Sequence, residues 1–144
     1  MKLPQTSEDV KTEILISSDK ADEVGDLRIR QLIRILDKVD QEIIVDGVIK
    51  VFETSRPESL YRDHKFAGQV LMTTNPKSKR DLKEILKRTL AIWDKSVEQL
   101  PFWFRNNYGI EKVRDTFDNI ELADKEKAKL ETMKFWLRLK AASA

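Results

Sequence analysis

"EIIVDGVIKVFE", residues 42–53, decides the fold of this 144-residue chain. Asp46-Gly47 between two β-branched runs is the strongest short-range signal for a hairpin. Read as a helix, the same stretch spreads Ile44, Val45, Val48, Ile49, Val51 and Phe52 over a broad apolar arc, with Asp40 placed to cap it. Gly47 then costs the helix about 1 kcal/mol relative to alanine. The helical reading is preferred, because an isolated two-stranded hairpin is only marginally stable and the flanking segments read as helices. "TEILIS" (12–17) offers a third strand, so an α+β fold with a hairpin at 41–54 is the alternative.

Outward from this stretch the period is helical. "SEDVKTEILISS" (7–18) opens with Ser7 as a cap, and Glu8 and Asp9 suit the positive end of a helix. In "GDLRIRQLIRILDKV" (25–39), Ile29, Leu32, Ile33, Leu36 and Val39 recur every three or four residues, as one buried face does. Leu27 lies nearly opposite, which suggests cover on a second side. Residues 55–76 place Pro57 in a first helical turn and stop at Asn75-Pro76. "SKRDLKEILKRTLAIW" (78–93) has Ser78 and Asp81 at capping-box spacing ahead of the stripe Leu82, Ile85, Leu86, Thr89 and Trp93. "SVEQLPFWFRNNYG" (96–109) ends on a natural stop at Gly109, and 110–122 and 124–141 give two final helices. With only four glycines and four prolines in the chain, helix is favoured throughout. The expected fold is all-α in one domain, 1–144, with roughly the first six residues free to be unstructured.

The segments fall into three consecutive pairs: 26–39 with 41–54, 57–73 with 78–93, and 96–108 with 110–122. This pairing resembles HEAT- or armadillo-type α-solenoid repeats over residues 26–122, without a repeated motif. The resemblance implies stacked antiparallel helix pairs that present a binding surface. An irregular helical bundle is the other all-α arrangement.

Four aromatic side chains crowd into 100–109. On a helical projection Val97, Leu100, Trp103, Phe104 and Tyr108 share one arc of ordinary core width, roughly 140°. Phe102 is left nearly opposite, near Arg105 and Asn106, and is a contact candidate. The last helix adds Phe135, Trp136 and Leu139 outside its Leu130–Met133–Leu137 stripe, and these are expected to be buried as well.

The chain has no cysteine and one histidine, which excludes thiolate sites, Cys–His pairs and zinc sites of Cys or three-histidine type within one chain. His64 has Asp63 as its sequence neighbour, and adjacent helical residues diverge by about 100°, so no ready charge pair forms. It is expected to be a partly exposed helix residue. No phosphate-binding or dinucleotide-binding glycine loop occurs. No cofactor and no catalytic role are expected.

Net charge is +2, with 27 basic and 25 acidic residues, but residues 1–63 carry −4, residues 64–95 carry +5 and the remainder +1. The basic excess centres on "KSKRDLKEILKR" (77–88). Arg80, Lys83 and Lys87 share one flank, Lys77 and Lys79 stand at the helix start, and Arg88 lies further round. A solvated helix face explains such a ridge; so does contact with phosphates. No run approaches the roughly 20 apolar residues of a membrane helix, and "MKLPQTSEDV" lacks the apolar stretch of a signal peptide, so a cytoplasmic location is expected. The leading expectation is a non-enzymatic helical module that binds another protein, as an adaptor or an immunity protein does. The alternative is nucleic-acid binding through 77–88. The candidate contact residues are Lys77, Lys79, Arg80, Lys83, Lys87, Arg88, Phe102 and Arg105.

Overall fold

The computed structural model describes residues 1–139. Among them the chain forms only helices: α1 (Ser7–Asp19), α2 (Ala21–Val24), α3 (Leu27–Ile35), a 3-10 turn at Leu36–Lys38, α4 (Gln41–Glu53), α5 (Leu60–Thr74), α6 (Leu82–Leu90), α7 (Gln99–Tyr108), α8 (Ile110–Asn119) and α9 (Asp124–Trp136). The expected reach of the last helix to residue 141 lies partly outside the described residues. The fold is therefore all-α, and the ambiguous 42–53 stretch is helical.

Two features settle α4 as a helix. The Asp40 carboxylate accepts a hydrogen bond from the Glu42 amide at 3.1 Å, which caps the first turn. Nearly every apolar residue of the arc is then removed from water, from Ile44 and Val45 through Phe52. A strand would have turned alternate members of that set to solvent. Gly47 faces α1, where a side chain would meet Val10 and the Ser7 carbonyl. Its place in the helix serves close packing, and no turn forms there.

Local signals moved by a few residues in several places. Thr6, one residue before the expected Ser7, caps α1: its hydroxyl accepts from the Asp9 amide at 3.1 Å while the Asp9 carboxylate accepts from the Thr6 amide at 3.2 Å. Ser78 does not cap α6; its hydroxyl accepts from the Arg80 amide, and the helix begins after Asp81. Pro57 sits in the turn before α5 and not in its first helical turn. Pro101 falls in the first turn of α7, where a missing amide hydrogen removes no helix bond. Leu27 is 45% exposed, so α3 is covered on one side only.

The helices pack around one core whose largest fully buried members include Trp93, Trp103, Phe52 and Phe104. Helix α1 lies most extensively along α4, α4 continues onto α5 and α6, and α5 onto α7. Helices α8 and α9 close the other end against α6 and α7. Of the three expected consecutive pairs, 96–108 with 110–122 appears as α7 against α8, turning at Gly109, whose φ of +86° favours glycine. Helices α3 and α4 pack chiefly on α1 and α6 on α4, while α5 packs chiefly on α4 and then on α7, so the other two expected pairs do not form.

Candidate functional site

The basic segment 77–88 divides into two kinds of cation. Arg80 and Arg88 turn toward α4. The Arg88 guanidinium holds both carboxylate oxygens of Glu53, at 2.7 and 3.1 Å, and approaches Asp46 at 3.4 Å. Arg80 reaches Asp46 at 3.3 Å. Burial opposes ionisation of Asp46, yet a hydrogen bond from Ser7 and the charges of Arg80, Arg88 and Lys50 hold its carboxyl below the ordinary range. The Glu53 hydrogen bond raises Arg88 in turn. Arg88 fastens α6 to α4, and Arg80 fastens the connection before α6 to the same helix. Lys77, Lys79, Lys83 and Lys87 are exposed and make no ion pair among the described residues.

The connection that carries Lys77 and Lys79 has no regular structure but is anchored on both sides. Its amides are taken in turn: Lys77 N–H by Gln41 Oε1 at 2.8 Å, Ser78 N–H by Asn107 Oδ1 at 3.0 Å, and Lys79 N–H by Glu42 Oε2 at 3.2 Å. Its carbonyls accept from Trp103 Nε1 (to Pro76, 2.9 Å), Asn107 Nδ2 (to Ser78, 3.0 Å) and Tyr108 Oη (to Arg80, 2.7 Å). Burial pushes the Tyr108 hydroxyl up to about 12, so it stays a donor. The polar end of the aromatic-rich segment is thus an anchor, while Trp103 and Phe104 are core.

Phe102 and Arg105 sit elsewhere, at the junction of α7 and α9. They line a cleft of about 570 Å³ with Glu98, Phe135, Trp136, Leu137 and Arg138. The Arg105 guanidinium carbon lies 5.0 Å from the Phe102 ring centroid, a cation–π arrangement. Trp136 anchors its ring edge by donating to the Lys95 carbonyl at 2.8 Å. Phe135 was expected inside and is 72% exposed, the most open large apolar side chain among the described residues. On α9 it points away from the buried set Leu130, Met133 and Leu137. The sequence joined neither Phe135 nor Arg138 to Phe102; only the packing of α9 on α7 does.

His64 is buried, contrary to the partial exposure expected of it. Its Nδ1 accepts from the Asp94 amide at 3.1 Å, its ring lies 4.7 Å from that of Phe52, and Nε2 has no partner. Burial pushes its pKa down to about 4 against the pull of Asp94 and Asp63. The ring is neutral and carries its proton on Nε2. Asp63, also fully buried, faces the other way and takes Arg56 through both oxygens, at 2.7 and 3.0 Å. The two side chains do not form a catalytic pair. Among the described residues no group of three or more His, Asp or Glu is placed to hold a metal ion. None of their helices is long and apolar enough to cross a membrane.

Among the described residues the chain is all-α, and it exposes a basic segment and an aromatic cleft. Compared with protein families, with characterised proteins and with solved structures, it has no match.

Proposed function

We propose that the protein is a non-enzymatic interaction module, and that the α7–α9 cleft is where it takes another protein. The observation that carries this reading is Phe135, held 72% exposed beside Phe102 and Trp136 at one end of the helical stack. Exposing a phenylalanine costs roughly 1.5–3 kcal/mol of burial that the fold could have kept. Aromatic and arginine side chains that converge in one cleft are the residues most often found at the energetic centre of an interface. Arg105 and Arg138 stand at this cleft outside any ion pair among the described residues, opposed by Glu98. The complementary partner offers an apolar side chain with a carboxylate beside it.

Stacked helices that present a surface at their end are in keeping with a repeat-like adaptor or an immunity protein working in the cytoplasm. The test is photo-crosslinking from a benzophenone at position 102 in the producing cell, against the same probe with Phe135→Ala. A defined protein crosslinked in the first case and lost in the second supports the reading. Equal crosslinking in both, or none, removes the cleft from the function.

A further inference from the structure

We propose that Lys77, Lys79, Lys83 and Lys87 form a second binding surface, one for the phosphate backbone of a nucleic-acid duplex. The inference starts from what the fold does to the segment 76–81. A six-residue segment with two lysines and an arginine would ordinarily be a solvated loop. Here three of its amides and three of its carbonyls are taken by side chains from α4 and α7. Exposure alternates along it: Pro76 is buried, Lys77 exposed, Ser78 half-buried, Lys79 exposed and Arg80 half-buried. That is the pattern of a fixed extended run, and it sets Lys77 and Lys79 on one side about 6–7 Å apart, with the exposed Asp81 following them at the start of α6. Lys83 and Lys87 follow on α6, exposed and one turn apart, at a separation of about 6 Å.

The neighbouring charges are arranged so that these four are left over. Asp46 and Glu53, the carboxylates of α4 that face α6, are taken by Arg80 and Arg88. Glu84 stands within 4.0 Å of the same two arginines. Asp81 and, across on α8, Asp115 line a shallow cleft together with Lys83 and Lys112. Lysines carried on an anchored backbone lose little further chain entropy on meeting a row of phosphates, which favours a polyanion over solvent.

The composition of the row points to a duplex. No apolar side chain of 77–88 is exposed, because Leu82, Ile85 and Leu86 are all buried, so nothing is available to enter a bilayer. No aromatic ring stands in the row either, so single-stranded bases have nothing to stack on. What remains is contact with a regular backbone, independent of sequence.

The experiment is fluorescence anisotropy of the whole chain with a labelled mixed-sequence DNA duplex. Four phosphate contacts predict that affinity falls roughly 150-fold between about 50 and 200 mM salt, a slope near −3.6. Replacing all four lysines by glutamine is expected to abolish binding, and each single Lys→Gln to reduce the slope by about 0.9. Lys20→Gln at the C-terminal end of α1 and Phe135→Ala in the cleft are expected to leave duplex binding unchanged, which separates this surface from the cleft. Because the four lysines are exposed, their substitution leaves the helical circular-dichroism spectrum intact. No binding at about 50 mM salt overturns the proposal, as does binding that survives the quadruple substitution. Attachment to vesicles of phosphatidylcholine with phosphatidylserine, without duplex binding, also overturns it and makes the surface a membrane contact.

Discussion

A β-carbon placed on Gly47 would lie 2.5 Å from Val10 Cβ and 2.6 Å from Val10 Cγ1. The Ser7 carbonyl oxygen is 2.9 Å away on the same side. Helix α1 therefore rests on α4 at a distance only glycine allows. In an isolated helix Gly47→Ala would gain about 1 kcal/mol. In this protein it forces two helices apart, and overpacking of that kind costs roughly 1–3 kcal/mol, so the expected net effect is destabilisation. Urea denaturation of Gly47→Ala should give a lower midpoint than the parent. Adding Val10→Ala should not restore it, since the nearest atom is the Cβ that alanine keeps. A raised midpoint in the single variant would show that the helices do not meet so closely.

Arg56 and Asp63 differ in exposure, and that difference fixes which of them matters more. Asp63 is fully buried, whereas Arg56 keeps part of its side chain in water and also reaches Asp19 at 3.0 Å. The hydrogen bond to Asp63 is the main influence that raises Arg56 above its usual range. Arg56→Met strands a buried carboxylate and should cost about 3 kcal/mol or more. Asp63→Asn leaves a guanidinium that can turn toward Asp19 and solvent, and should cost less, about 1–2 kcal/mol. Equilibrium unfolding of the two variants orders them. The reverse order would mean that Asp63 is better hydrated than its surroundings indicate.

Helix α4 was legible because burial of a broad apolar arc outweighs one glycine and the turn preference of Asp-Gly. The burial of His64 also left a trace, since it stands three and seven residues before buried Ala67 and Leu71 on the same helical face. Its polarity pointed outward and its position pointed inward; position won, with the Asp94 amide supplying one partner. For Phe135 the reverse happened. Its place opposite Leu130, Met133 and Leu137 signalled exposure, and only its apolar character suggested the interior. The basic ridge was visible as charge, but its division was not. Which cations stay free depends on Asp46 and Glu53, more than thirty residues earlier in the chain, facing α6. Choice of helix partners was equally hidden, because short connections constrain neighbours in sequence and α1 packs chiefly on α4.

His64 gives the fold a pH dependence of definite sign. Its pKa is depressed to about 4 in the folded protein and lies near 6.5 when unfolded. Between those values the unfolded chain binds the extra proton, so stability falls as pH drops through that window. Protonation would also remove the acceptor that holds the Asp94 amide. The expected loss from pH 7 to about 4.5 is roughly 2–3 kcal/mol. Glu8, held low mainly by Lys11, and Asp9, held low mainly by the Gln5 amide, withdraw their own contributions at lower pH. His64→Asn keeps an acceptor for Asp94 without a titrating group and should flatten the curve above pH 4.5. Urea midpoints at several pH values decide this, and a parent protein with equal midpoints at pH 7 and 4.5 would contradict it.

Asn107 and Tyr108 hold one segment from one helix end, and their contributions should not add. Tyr108→Phe removes the 2.7 Å bond to the Arg80 carbonyl, which can still turn to water, at a cost of about 1 kcal/mol. Asn107→Ala strips both the amide and the carbonyl of Ser78 of their partners and should cost about 2 kcal/mol. Once Asn107 is gone, the 76–81 connection is free to loosen, so Tyr108 has less ordered backbone left to hold. The double variant is then expected to lose less than the sum of the singles, by more than about 0.5 kcal/mol. Hydrogen exchange gives an independent reading: the Ser78 and Lys79 amides should lose protection in Asn107→Ala while those in the middle of α6 keep it. Strict additivity, with Ser78 still protected, would mean that Gln41, Glu42 and Trp103 suffice to fix the lysine-bearing segment.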